Sequence, residues 1–205
     1  MIYFTADTHF NHKNIIKYCN RTAFGEDSSF RNGTERLFND VHEMNEHMID
    51  SWNSVVKHSD VVYHLGDVFF GPKDEAITLC NRLNGYKILL RGNHDLKPPN
   101  EFWLQAGFSL VYTLGHRKTH RIEVEGQVLH LSHYPYVKDL TAYDERTYLH
   151  HHAPEEDKTP LLHGHVHDRW QTKGHMINVG VDVWDYKPVS IGAIQILVKL
   201  AKGKP

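Results

Sequence analysis

Four apolar, strand-like runs in this chain each break off into a short cluster of Asp, His or Asn. Ile2-Tyr3-Phe4-Thr5-Ala6 leads into Asp7-Thr8-His9, and Val61-Val62-Tyr63-His64-Leu65 into Gly66-Asp67. Tyr86-Lys87-Ile88-Leu89-Leu90 leads to Gly92-Asn93-His94-Asp95, and Pro160-Leu161-Leu162-His163 into Gly164-His165-Val166-His167. A fifth run, Val128 to Leu131, ends at Ser132-His133. In α/β sheets, sites form where strands release their chains into loops. Five such ends supply enough nitrogen and oxygen ligands for two adjacent divalent cations.

The ordered set D-x-H, G-D, G-N-H-D, a lone His and G-H-x-H resembles the calcineurin-like metallophosphoesterases, the small bacterial and phage-type members in particular. All five blocks stand in order from Asp7 to His167, so the resemblance covers most of the chain. A lone D-x-H or G-D carries almost no information; the ordered set carries much. The resemblance implies an α/β fold of two packed sheets flanked by helices, an αββα sandwich. It also implies a phosphoric ester hydrolase with two divalent transition-metal ions. Asp67 would be the bridging carboxylate, with Asp7, His9 and His167 completing one site and Asn93, His133 and His165 the other. His94 would be the general acid for the leaving alcohol, a role that suits an imidazole titrating near neutrality. Asp95, in the same motif, would orient or support it.

The chemistry asks for these residue types. Two metals about 3.5–4 Å apart can hold a bridging hydroxide and neutralise the attacking and leaving oxygens of an in-line phosphoryl displacement. The bridge calls for a carboxylate, whose two oxygens and charge serve both cations. Residues i and i+2 of an extended segment face one side, so G-H-x-H predicts that His165 and His167 reach different metals from a strand. Gly92 and Gly164 fit turns where a Cβ would intrude on the site. Mixed imidazole and carboxylate ligation suits manganese, iron, cobalt, nickel or zinc better than calcium, with manganese the first expectation. The H-x-H-x-D-H pattern of metallo-β-lactamase folds is excluded, because Asp168 follows the last His.

One departure from the family is informative. Protein Ser/Thr phosphatases continue the second motif as G-D-x-x-D-R-G, whereas here Phe70 and Gly71 stand where the second Asp and the Arg would be. Phosphoprotein phosphatase activity is disfavoured. His12 and Arg91 are candidate substrate contacts, although a helix cap and an ion pair would explain them equally well. Asp182, in Asn178-Val179-Gly180-Val181-Asp182, is a candidate partner for a metal-bound His, with a purely structural role as the alternative.

Lys and Arg (23) nearly balance Asp and Glu (25), which removes the electrostatic footprint of a general DNA-coating protein. The expected substrate is therefore a small phosphomono- or diester. A nuclease or cyclic-nucleotide phosphodiesterase of the same superfamily is the second reading, and a non-catalytic metal-binding scaffold the third. Cys19 and Cys80 lie too far apart to suggest a disulfide framework and read as reduced thiols of a cytoplasmic protein. No run of about twenty apolar residues suggests a membrane span, and the N-terminus lacks the features of a signal peptide. The chain reads as one domain over residues 1–205; nothing in it speaks to oligomeric state.

Periodicity predicts a short helix over Asn14–Tyr18 and an amphipathic helix from Thr34 to Lys57 with Thr34 as its cap. A further helix is opened by Pro72 and closed by Asn84-Gly85, and another covers Glu101–Ala106. A hairpin turns at Glu125-Gly126, and Val189–Val198 reads as a final strand. Lys138–Lys158, charged and containing His150-His151-His152, carries no pattern.

Overall fold

The structure, a computed structural model, describes residues 1–24, 35–140 and 151–202. Along the chain come β1 (Ile2–Thr5), α1 (Ile15–Tyr18), β2 (Thr22–Phe24), β3 (Glu35–Leu37), α2 (Val41–Val55), β4 (Val61–His64), α3 (Lys73–Asn81), β5 (Tyr86–Leu90), α4 (Asn100–Gln105) and β6 (Phe108–Tyr112). They are followed by β7 (His120–Val124), β8 (Gln127–Leu131), β9 (Leu161–His163), β10 (Thr172–Lys173), β11 (Met176–Asn178), β12 (Val189–Ser190) and α5 (Ile191–Lys202).

The first sheet has the order β12-β1-β4-β5-β6, parallel except at β12; the second has the order β10-β11-β9-β8-β7. Strands buried on both faces read as continuous apolar runs, and β1 is such a strand. Its Tyr3 joins the core formed with Met44, Met48 and Trp52 of α2, Leu79 and Cys80 of α3, and Phe102 and Trp103 of α4. Its Phe4 joins the core shared with Leu129 and Leu131 of β8, Leu162 of β9 and Ile177 of β11. The result is two sheets face to face, flanked by helices, as the resemblance implied.

Two elements differ from expectation. The long helix starts at Val41, because Asp40 is its cap, accepting the Glu43 amide at 2.9 Å. Leu37 belongs to β3, and Thr34 lies outside the described residues. The run Val189–Val198 is a strand only at Val189–Ser190 and then becomes α5. Its β-branched residues suggest a strand, but Ile191, Ile194 and Val198 recur at helical spacing and are buried together, leaving Ile196 and Leu200 exposed. Of the patternless stretch, Val137–Asp139 forms a short turn, while residues 141–150 lie outside the described residues. Among those described, no helix is long and apolar enough to cross a membrane.

At the end of β4, the Gly66 amide donates to His64 Nδ1 (3.2 Å), so the neutral ring carries its proton on Nε2 and donates to Thr8 Oγ1 (3.0 Å). Thr8 Oγ1 donates onward to Val68 O at 2.8 Å. This chain ties the loops after β1 and β4. Burial pushes the His64 pKa down to about 3. The unfolded chain binds that proton near pH 6.5, so stability is complete above about 6.5 and declines as pH falls toward 3. In His64→Gln, the fall of unfolding free energy between pH 6 and 4 should be shallower by up to about 1.4 kcal/mol per pH unit. An unchanged slope in urea titrations would show that His64 is not neutral in the fold.

Candidate metal centre

Because β1, β4 and β5 are parallel, the loops carrying Asp7, Asp67 and Asn93-His94 leave one edge of the first sheet. Parallel pairing of β8 with β9 brings His133 and Gly164–His167 together on the second. Backbone hydrogen bonds join the loops: Asp7 N to Gly66 O (2.9 Å), His9 N to Asp67 O (3.1 Å), Gly164 N to His133 O (3.0 Å) and Val181 N to Ala6 O (3.1 Å).

Five candidate ligands occupy the left-handed region, with φ of 57° at Asp7, 47° at His9, 59° at Asp67, 71° at His165 and 51° at His167. Such residues carry strain that the surroundings must hold in place, and they concentrate at functional sites. Contrary to the strand expected for G-H-x-H, the segment is not extended. The two left-handed residues divide the imidazoles instead. His165 stands edge-on to His133 at 5.2 Å between centroids, while His167 stacks on His9 at 5.1 Å.

Asp67 Oδ2 is the focus. It lies 3.4 Å from His133 Nε2, 3.7 Å from His9 Nε2 and 3.9 Å from His94 Nε2. Asn93 Oδ1 is 3.1 Å from His133 Nε2. Asp7, His9 and His167 each place a ligand atom within 4.8 Å of the others, and so do Asp7, Asp67 and His133. The His165 ring stands outside both tight groups, although its amide donates to Asp7 Oδ2 at 2.8 Å. Gly92 and Gly164 are as crowded as expected. A Cβ would stand 2.2 Å from Asp67 Oδ1 at the first and 2.5 Å from Asp7 Oδ2 at the second.

The donor set fits cations. Asp7 Oδ1 and both ring nitrogens of His9 are buried with no hydrogen-bond partner among the described residues, a condition costing about 1–3 kcal/mol per group unless something satisfies it. His133 Nδ1 donates to Leu65 O at 2.8 Å, which turns Nε2 toward Asp67. Burial lowers the His133 pKa, but Asp67 and Asp7 outweigh it and raise it to about 9. Burial raises the Asp67 pKa, yet His133, His9 and His94 hold it well below the usual carboxylate range. A divalent cation held there would take the place of the His133 proton, so loading would release protons.

His167 is oriented by a chain that sequence reasoning found only at one end. Its Nδ1 donates to Asp182 Oδ2 at 3.0 Å, and Asp182 is ion-paired with Arg21 Nε at 2.7 Å. Arg21, fully buried, also donates to the carbonyls of Asp7 (2.6 Å) and Thr8 (2.7 Å). A single Arg in a polar loop gives no signal, and its partner is 161 residues away. Asp182→Asn should therefore lower metal affinity by about 10–100-fold while the chain stays folded. Metal titration checks this, and affinity equal to the parent would deny Asp182 its orienting role.

Asp95 differs from its expected role. Its buried carboxylate accepts from the amides of Asp67 (2.6 Å), Gly92 (2.9 Å) and Val68 (3.0 Å). It therefore fixes the loop presenting Asp67 rather than the ring of His94. His94, with its side chain 44% exposed, sits at the mouth, tilted against Phe70 at 4.6 Å. His12 stacks on the other part of this shelf, 4.0 Å from Phe70. Arg91 donates to Asn100 Oδ1 at 2.7 Å and lines a cavity beside His133.

Residues 36–188 match the calcineurin-like phosphoesterase superfamily domain, and the chain belongs to that superfamily. It is 33% identical to an uncharacterized protein of Methanocaldococcus jannaschii over 99% of this chain and 93% of the other. It is 29% identical to the gene 66 protein of Mycobacterium phage L5, over 89% of this chain and 86% of that one. Among solved structures, a protein of unknown function from Aquifex aeolicus superposes with a TM-score of 0.64 at 30% identity, covering 96% of this chain and 98% of its own. The superfamily is one of phosphoesterases that bind divalent metals, which fits the donor set described above.

Proposed function

We propose that this chain, acting as one domain, is a dinuclear metal-dependent hydrolase of small phosphomono- or diesters. The observation that carries the reading is the ring of imidazole nitrogens around Asp67 Oδ2, beside buried Asp7 and His9 atoms that no group among the described residues satisfies. Asp7, His9, Asp67 and His167 would hold one cation, and Asp67, Asn93, His133 and His165 the other, with manganese the first choice for such donors. Bound cations supply an activated water and neutralise charge on the phosphate oxygens.

The remaining steps belong to the chain. His94 presents Nε2 at the open mouth, where it can give a proton to the leaving oxygen. Burial lowers the His94 pKa below that of a free imidazole, with Asp67 opposing the shift only in part. A protonated His94 is needed, so turnover should fall as pH rises through its pKa in the complex. Asp95 holds the Asp67 loop still, and Asp182 holds His167. His12 and Arg91 flank the centre as candidate phosphate contacts. Two free thiols, Cys19 and Cys80, fit a reducing cytosol.

The test is hydrolysis of a nitrophenyl mono-ester and bis-ester by manganese-loaded protein. Chelator should abolish turnover, and raising salt from about 50 to about 200 mM should change it little, whereas a protein making many phosphate contacts loses about 10³–10⁵ in affinity over that range. Chelator-resistant turnover, or efficient and salt-steep cutting of long DNA or RNA, would contradict the reading.

A further inference from the structure

A cavity of ≈ 260 Å³ adjoins the centre, with Gly92 and His133 in its wall. His133 belongs to both, so the cavity and the centre share this side chain as a common wall. Tyr134 and His152 line it with rings 6.1 Å apart and 24° from parallel, and His116 stacks behind His152 at 5.0 Å and 15°. Leu96 and Leu114 supply apolar wall, and Arg91 is the lone Lys or Arg among its lining residues. Arg91 Nε is buried with no hydrogen-bond partner among the described residues.

The segment that delivers His152 is tied down from two sides. His116 Nδ1 bonds to His151 O at 3.1 Å, and Arg117 pairs with Glu155. On the other flank, Val137 N donates to Pro154 O at 3.0 Å. Burial, with His116 and His151 beside it, lowers the His152 pKa, which makes it a neutral aromatic wall rather than a second cation. A lining of stacked rings, leucines and one guanidinium suits a flat, weakly polar group. It does not suit a second phosphate or a sugar alone.

We propose that this cavity is the subsite for a planar heteroaromatic ring, so that the small phosphoester is of single-nucleotide size. The proposal rests on the centre binding phosphate, and it deepens the hydrolase reading by naming the substrate class.

Equilibrium binding to manganese-loaded protein tests it without relying on turnover. A nucleoside 5′-monophosphate should bind about 5- to 150-fold more tightly than ribose 5-phosphate, the range of one base–aromatic stack. His152→Ala should erase most of that ratio, and His152→Phe should keep it. Phenyl phosphate should bind more weakly than the nucleotide; equal binding would overturn the heteroaromatic, nucleotide-sized assignment. Equal affinities for nucleotide and ribose phosphate, or a ratio unmoved by His152→Ala, would overturn the proposal. Ring-selective binding without hydrolysis of any ester would support the subsite while sinking the hydrolase reading.

Discussion

Asp67→Asn should strip the protein of its cations and of its activity while leaving the fold intact. Asn has nearly the same shape, tolerates the left-handed backbone at φ 59°, and can still accept the His94 amide through Oδ1, 3.0 Å away in the parent. What it removes is a charge set among three imidazole nitrogens at 3.4, 3.7 and 3.9 Å. An amide oxygen cannot neutralise two cations together. Equilibrium dialysis against manganese should give fewer than one ion per chain, with a thermal unfolding curve still cooperative. Retention of both ions and normal turnover would remove Asp67 from the bridging position.

His94→Ala should leave metal content unchanged and lower turnover by about 10²–10⁴-fold, the usual weight of general acid catalysis. The side chain makes no contribution to the two tight ligand groups, and its ring is the exposed one at the mouth. The loss should depend on the leaving group. Alkyl esters leave as poor alkoxides and need the proton, whereas nitrophenolate leaves almost unaided. The ratio of parent to variant rates is therefore expected to be large for alkyl esters and small for nitrophenyl esters. An equal loss for both would point to positioning or metal support instead.

The sequence made the strand ends legible because each ligand cluster directly follows an apolar run, and β1, β4, β5, β8 and β9 lie where those runs stand. The hairpin was equally plain, since Glu125 and Gly126 both take positive φ between β7 and β8. The second sheet came from the family alone; periodicity says nothing of which strands pair when they lie far apart in the chain, as Leu131 of β8 does with Leu162 of β9. Arg21 was illegible for a related reason. Its role depends on Asp182, brought near only by the fold, and neither residue carries a local pattern that announces the other. The error at Val189–Val198 is of another kind. Ile and Val favour strands in isolation, but burial of Ile191, Ile194 and Val198 on one face decided for a helix. The conformation of His165-Val166-His167 was likewise hidden, because an alternating His-x-His reads as extended until the chain is seen turning at both histidines.

The central claim is that these strand ends hold two cations at once, around a shared carboxylate. Manganese stoichiometry, measured by elemental analysis of dialysed protein with electron paramagnetic resonance on the same sample, tests it most directly. Two ions per chain are expected, with the spectrum of an exchange-coupled pair. One ion per chain, or two with the spectrum of isolated manganese, would contradict it.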